Sequence, residues 1–390
     1  MSSQPRHWRS AAEALAVLRQ QARLTRPELG RRLGLGSGPT SDLVGRMARG
    51  ALISERPAGR EGRGRPTTTV HAHPRGPVAV VLDIRHGDWR LGTCEVDGTV
   101  EIVESGQHDS RSPEQLVDRL RTRVRATTRS LGDRLAGIGV AVPGPTADDR
   151  LVHATMLGWH DVDIRRVAPD AEILVAVGND ATMAAVAEAR LHTPRPRTLL
   201  HVVVEIGVGG AFVADGRPVR SARGLHGEFG HLPFGDPGVR CPCGALGCWA
   251  IAFDLPQIAR GAGRRIRQHP RTWLHGLFTD PRPSPKVRDT REALAADLGR
   301  GIAGLVNALD PDVVTLGGLA SELRASSPEG FEHAVDAGLM TVHRDRPPSI
   351  VAARGGEDAP LIGAGLEVFE RVLDADMLAR WASRVRGVRP

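Results

Sequence analysis

An α/β body carried behind a small, basic α+β head is the fold class that the sequence predicts, and three observations predict it. First, charge is split. The chain carries +7 overall, yet residues 1–75 hold 14 Arg against 5 Asp/Glu, a net of +9 that leaves −2 for the remainder. Second, the same 75 residues read as short amphipathic helices followed by two β-rich runs. Third, strand and helix patterns alternate from residue 78 onwards, as in α/β layers. A length of 390 residues with 41% hydrophobic content allows two or three domains with ample core. No apolar run reaches about 18 residues and the N-terminus lacks the apolar core of a signal peptide, so a membrane span and secretion are not expected. Four cysteines fit a reducing cytoplasm. Lys286 is the only lysine, which reads as a compositional bias towards Arg.

In the head, residues 10–22 group Ala14, Leu15, Val17, Leu18 and Ala22 at helical spacing. Thr25-Arg26-Pro27-Glu28 is a helix start: Thr caps, Pro suits the first turn, and Glu three residues on completes a capping box. That second helix carries Leu29 and Leu33 and stops at Gly34. A Gly-rich turn leads to a third helix over 39–48, with Leu43, Val44 and Met47 inward. Helix, short turn, helix is the helix-turn-helix plan, whose last helix enters the major groove. Its outward polar face is read as Ser37, Thr40, Ser41 and Arg46. Residues 51–54 and 67–70 read as two strands of a wing. Between them Arg60-Glu61-Gly62-Arg63-Gly64-Arg65-Pro66 offers Arg63 and Arg65 to a narrow minor groove; the competing reading is a solvated linker. A basic head on a near-neutral body is the electrostatic footprint of a nucleic-acid-binding domain, 1–75.

The body, 76–390, begins after Pro74–Pro77. Residues 78–84, 89–96 and 100–105 read as three strands with tight turns, followed by a helix over 113–131 and an apolar strand over 137–142. A strand over 173–177 ends at Asn179-Asp180 and leads into a helix over 181–190. Two further strands, 199–206 and 211–213, are separated by Gly207, Gly209 and Gly210. Residues 270–290 read as an irregular connection, 291–309 as a long amphipathic helix, and 313–316 as a buried strand closed by Gly317-Gly318. Helices finish the chain from 363.

The most informative stretch is 226–250, HGEFGHLPFGDPGVRCPCGALGCWA. Cys241, Cys243 and Cys248 lie ten to seventeen positions after His231. A disulfide would leave a cysteine over, and a C-x-C pair does not close on itself. One His and three thiolates on a Gly/Pro-rich loop match the ligands of a closed structural zinc site; the other reading is unpaired thiols. The same stretch resembles the signature of the ROK family of sugar kinases and sugar-responsive repressors. The residues that carry it are Glu228-x-Gly230-His231 and Cys241-x-Cys243-Gly244-x-x-Gly247-Cys248-Trp249. The strand meander from residue 78 is similar to the half-domain of actin-like ATPases. The resemblance implies an actin-like, RNase H-like two-lobed fold, with lobes of about 76–190 and 191–362 around a sugar-binding cleft. It implies a sugar contact for Glu228 and for His231, and it matches Asn179-Asp180 to the pair whose Asp is the general base in kinases. Pro143-Gly144-Pro145 and Leu157-Gly158-Trp159 resemble family turns that shape the cleft. The Gly-Arg-rich wing resembles the repressor branch.

The resemblance also sets two departures. The phosphate turn of ROK kinases, Asp-x-Gly-Gly-Thr-Lys, corresponds here to Asp83-Ile84-Arg85-His86-Gly87-Asp88. Arg85 and His86 replace both glycines and Asp88 replaces the Lys, so backbone amides no longer approach phosphates closely. Ala250 stands where many members carry a sugar-contacting Glu, and Met156 where Asn is common. The expectation is a transcriptional regulator, not an enzyme. It would bind operator DNA through the head and a sugar-derived effector in the cleft, hold one zinc, and assemble as a homodimer or homotetramer. A kinase with an appended head and a ligand-independent repressor are the alternatives. Simpler readings compete at single residues: a helix N-cap for Asn179-Asp180, a solvated loop carboxylate for Glu228, and a structural turn residue for Asp83.

Overall fold

The computed structural model describes residues 4–20, 24–57, 68–109, 112–154, 157–192, 194–219, 226–267 and 269–387. Arg63, Arg65 and Met156 lie outside them. The head runs α1 (Gln4–Gln20), β1 (Leu24–Thr25), α2 (Arg26–Arg32), α3 (Ser37–Arg49), β2 (Ile53–Pro57) and β3 (Thr68–Ala72). The predicted cap forms: Thr25 accepts the Glu28 N–H while the Glu28 carboxylate takes the Thr25 N–H at 2.8 Å. The β2–β3 wing is antiparallel, and β1 adds to its far side to give the order β1-β3-β2. Thr40 departs from expectation. It lies on the buried stripe of α3 with Leu43, Val44 and Met47, and its hydroxyl donates to the Gly36 carbonyl at 2.8 Å. A Cβ on Gly30 would sit 2.5 Å from that hydroxyl, so Thr40 sets the close approach of α2 and α3 and is not on the outward face. Ser37 and Ser41 are exposed and Arg46 is half-buried.

The first lobe comprises β4 (Val78–Ile84), β5 (Asp88–Glu95), β6 (Val100–Gln107), α4 (Pro113–Leu131), β7 (Leu135–Val142), β8 (Thr146–Ala147), β9 (Arg150–Ala154), β10 (Trp159–Val162), β11 (Val175–Asn179) and α5 (Asp180–Leu191). Its main sheet has the order β11-β7-β4-β5-β6, with β4–β7 and β7–β11 parallel. Both faces of β4 are buried, which is why Val78–Ile84 reads as a continuous apolar run. Val80 and Leu82 pack with Leu116, Leu120 and Val124 of α4. Ala79 and Val81 face the other way.

The second lobe comprises β12 (Thr198–Glu205), β13 (Gly207–Ala214), β14 (Arg217–Pro218), α6 (Leu255–Gly261), α7 (Pro270–Thr279), α8 (Pro285–Leu309), β15 (Val313–Gly318), α9 (Ala320–Ser326), α10 (Pro328–Gly338), α11 (Thr341–Asp345) and β16 (Ser349–Ala352). Its sheet has the order β14-β13-β12-β15-β16. Two expectations are corrected here. Gly207, Gly209 and Gly210 do not form a turn between strands; they begin β13 and pair with β12. Residues 270–290 are not irregular: Pro270 and Pro285 each stand at a helix start, so the Pro-rich composition marks two N-termini.

The chain then returns to the first lobe. In α12 (Ala359–Val372), Leu361, Ala364 and Val368 cover Ala79 and Val81. A Cβ on Gly139 of β7 would lie 2.3 Å from the Ala364 carbonyl, so only Gly permits this approach. The last helix, α13 (Ala375–Gly387), packs on α1. Trp8, Leu15 and Leu18 share one core with Leu378 and Trp381, and Trp381 Nε1 donates to the Gly50 carbonyl at 3.0 Å. The head is therefore held by the C-terminal helix as well as by the link at Pro74–Pro77. Among the described residues no helix is long and apolar enough to cross a membrane.

Candidate cleft and metal centre

Asn179 ends β11 and caps α5. Its Oδ1 accepts the Thr182 N–H at 3.0 Å, and its amide donates to the Gly144 carbonyl at 3.2 Å. The capping reading thus holds, and the same bonds fix where Asp180 starts the helix. Glu228 and His231 bracket a single 3-10 turn, Phe229–His231. The glycines of β13 explain its seat. A Cβ on Gly210 would lie 2.8 Å from the Phe229 ring, one on Gly209 3.2 Å from Ala181 Cβ, and one on Gly230 2.2 Å from the Val208 carbonyl. A strand edge without side chains lets both the 3-10 turn and the start of α5 dock on it. Asp180 and Glu228 are thereby brought close enough for one carboxyl to feel the other.

The electrostatics agree with that placement. Burial, then the neighbouring Asp83, pushes the Asp180 carboxyl up to about 7, with Glu205 and Glu228 acting in the same direction. Burial pushes Glu228 up to about 7 as well. Carboxyls held this way keep their protons to near-neutral pH and can then donate a hydrogen bond as well as accept one. Burial, then His153, lowers His231.

His231, Cys241, Cys243 and Cys248 place their ligand atoms within 4.8 Å of one another. Cys243 and Cys248 sulfurs are 3.6 Å apart, and Cys241 Sγ is 3.7 Å from His231 Nδ1. A disulfide needs about 2.05 Å. Tetrahedral ligands at about 2.3 Å from one ion stand roughly 3.8 Å apart, so the spacing fits a four-ligand metal site with no open position. His231 turns Nδ1 to this cluster and Nε2 towards Glu228, 3.9 Å away. One imidazole therefore links the Cys3His cluster to Glu228. Trp249 anchors the loop, donating from Nε1 to the Asp297 carbonyl of α8 at 3.1 Å.

The turn at 83–88 is filled by its own side chains. Asp83 is 1% exposed and its Oδ2 takes Arg85 Nε at 2.7 Å and Arg90 at 3.2 Å. This is the structural role weighed for Asp83. Arg90 also pairs with Asp358 at 2.7 Å, and Arg271 of α7 with Glu205 at 2.8 Å. Arg90, Glu205, Arg271 and Glu357 were not singled out from sequence, where they are scattered over 268 positions with no motif to join them.

A two-lobed α/β body with a Cys3His loop beside an interlobe cleft defines the class, and the chain belongs to the ROK family, which it matches over residues 82–369. It is 28% identical to a glucokinase of Halalkalibacterium halodurans over 296 residues, 71% of this chain and 86% of that protein. It is 22% identical to the xylose repressor of Bacillus subtilis over 357 residues, 90% of this chain and 92% of that one. A solved ROK family transcriptional regulator, a homolog of the E. coli MLC protein, shares the fold. The TM-score is 0.72 at 20% identity, with 97% of this chain and 100% of that chain covered.

Proposed function

We propose that the protein is a DNA-binding regulator, most simply a repressor, of carbohydrate-related genes. It is controlled by a sugar or sugar derivative in a cleft that no longer phosphorylates it. The observation that carries this reading is the reach of the repressor similarity. An aligned stretch of 357 residues exceeds the 315 that follow position 75, so it must enter the head, whereas the 296 residues shared with a glucokinase fit within the body. Ser37, Ser41 and Arg46 are proposed to face DNA from α3, with Arg63 and Arg65 from the wing. Asn179, Asp180, Glu228 and His231 are proposed to hold sugar hydroxyls. His231, Cys241, Cys243 and Cys248 would hold zinc, which closes the loop that carries His231 and leaves its other nitrogen for the ligand. The ion pairs at 83–88 support the reading that ATP is not turned over, because Arg85, which stands where the resemblance expects a phosphate-turn glycine, is held by Asp83. A homodimer would present two heads to half-sites about one DNA turn apart or a multiple of it.

The test is selection of duplexes from a random pool, followed by gel shifts and a coupled kinase assay with ATP and glucose or N-acetylglucosamine. The expected result is one enriched, inverted-repeat site. Its log affinity should fall with log salt by about 0.9 per phosphate contacted, and no sugar should be phosphorylated. A pool that yields no enriched site would remove the regulator reading. Turnover that disappears in Asp180→Asn would establish the other reading, a sugar kinase with an added head.

A further inference from the structure

The β4–β5 turn of the first lobe faces the end of β12 and the start of α7 in the second. A continuous line of ion pairs runs between them. Asp83 holds Arg85 and Arg90 at 2.7 and 3.2 Å. Arg90 continues to Asp358 at 2.7 Å, and both arginines donate to the Glu357 carbonyl, Arg85 at 3.2 Å. The Glu357 carboxylate pairs with Arg271, whose Nε meets Glu205 at 2.8 Å. Beside this line His269 Nε2 lies 3.4 Å from Asp88.

Glu357 and Asp358 are not placed at random. They sit in the segment that carries the chain from β16 on the second sheet to α12 on the first. Gly356 there has φ +55, open to Gly and strained for other residues. A buried carboxylate on α5, Glu188, takes the N–H groups of Arg354 at 2.9 Å and of Gly355 at 2.5 Å. The crossing thus has the parts of a hinge: a permissive backbone, an anchor on one side and charged arms reaching to both lobes.

We propose that this is an interlobe latch. Arg85, Arg90 and Arg271, strung on Asp83, Glu205, Glu357 and Asp358, hold the lobes together where a nucleotide's phosphates would otherwise bridge them, so the closure of the cleft is set by the chain itself. Three arginines meet five carboxylates here when Asp88 is counted, so the cluster is not a general anion site. A lone exposed pair would hold little. This network is anchored on a carboxylate that is 1% exposed, and removing its partners leaves that charge buried and unpaired. The latch acts between the lobes alone and does not depend on DNA binding.

The experiment is hydrogen exchange by mass spectrometry on the full chain, reading peptides that span 84–88 and 354–358, with small-angle scattering in parallel. Glu357→Gln and Arg271→Gln should each speed exchange in both peptides by roughly fivefold or more and enlarge the radius of gyration. Raising salt to about 1 M, where the Debye length is about 3 Å, should do the same to the wild type and little to the variants. Arg271→Lys, which keeps charge but loses the fork, should lie between. Millimolar ATP with magnesium should leave the wild-type pattern unchanged. Glu357 is 53% exposed, so its Gln variant keeps the fold, which circular dichroism and metal content verify. Exchange and scattering identical to wild type in both Gln variants would overturn the latch. So would protection of the 84–88 amides by ATP, which would make the place a nucleotide site.

Discussion

At the scale of single residues, function is read from side chains whose environment forces a choice of chemistry. The Cys243 and Cys248 sulfurs, 3.6 Å apart, have no covalent bond to explain their closeness. Purified protein should contain about one zinc per chain by elemental analysis, and Cys243→Ser should lower this to near zero, because three ligands do not close a structural site. Asp180 gives a pH test. Its carboxyl is pushed up to about 7, while the unfolded chain releases that proton near pH 3.9. The native state therefore binds the proton more tightly, and the group costs stability progressively as pH rises from about 4 to 7. Melting curves of wild type and Asp180→Asn should diverge in favour of the variant across that window and run parallel above it. A difference that does not change with pH would remove burial as the cause. These residues were legible in the sequence because their chemistry is local: Glu228 to His231 is one turn, and Cys241 to Cys248 one loop. Thr40 was misread for the same reason, since a polar residue near a helix start looks outward until Gly30 is seen beneath it.

At the scale of elements, periodicity told most. Pro113–Leu131 and Val78–Ile84 stand where their apolar spacing put them. Glycine told less, because the same residue serves a turn, a phosphate cradle and a packing surface. Gly207, Gly209 and Gly210 read as a break between two strands, yet they belong to a strand that must let Phe229 and Ala181 come close. The docking of the C-terminal helix was not legible, because α1 and α13 are separated by most of the chain and neither names its partner. Their junction makes a firm prediction. Trp381 is 5% exposed, packs in the core that the head shares with α12 and the first sheet, and donates to the Gly50 carbonyl. Trp381→Ala should cost about 3–5 kcal/mol of head stability and leave the second lobe intact. Proteolysis should then release the head at a denaturant concentration where the second lobe, with its Cys3His loop, resists cleavage. Simultaneous loss of both would mean that the whole chain unfolds as one unit.

At the scale of the whole molecule, α5 joins the cleft to the head. Asn179 and Asp180 stand at its start. At its far end Arg190, buried, donates to the carbonyls of Leu18 in α1 and of Asp97, and Asp97 in turn accepts the Ala72 N–H of the wing at 3.0 Å. Twelve helical residues span about 18 Å, so one rigid rod covers the distance. Ala185 and Ala189 face the second sheet, while Ala184 and Ala187 face Ala359 of α12. Small side chains on both sides leave α5 few ways to move except as a unit. A ligand held between Asp180 and the Glu228–His231 turn changes DNA affinity only if it prefers one setting of this rod. Two variants separate binding from transmission. Glu228→Ala removes a proposed sugar contact and none of the four proposed metal ligands, so it should bind operator DNA as wild type does and need about tenfold more sugar to respond. Arg190→Gln removes the contact at the other end. Sugar binding, read as a thermal shift, should persist, while the change in DNA affinity that sugar causes should shrink towards none. Reciprocity supplies the check: operator DNA should alter sugar affinity in wild type by the same factor that sugar alters DNA affinity, and should fail to do so in Arg190→Gln. If Arg190→Gln keeps the full wild-type response, the signal passes elsewhere, through the link at Pro74–Pro77 or between subunits.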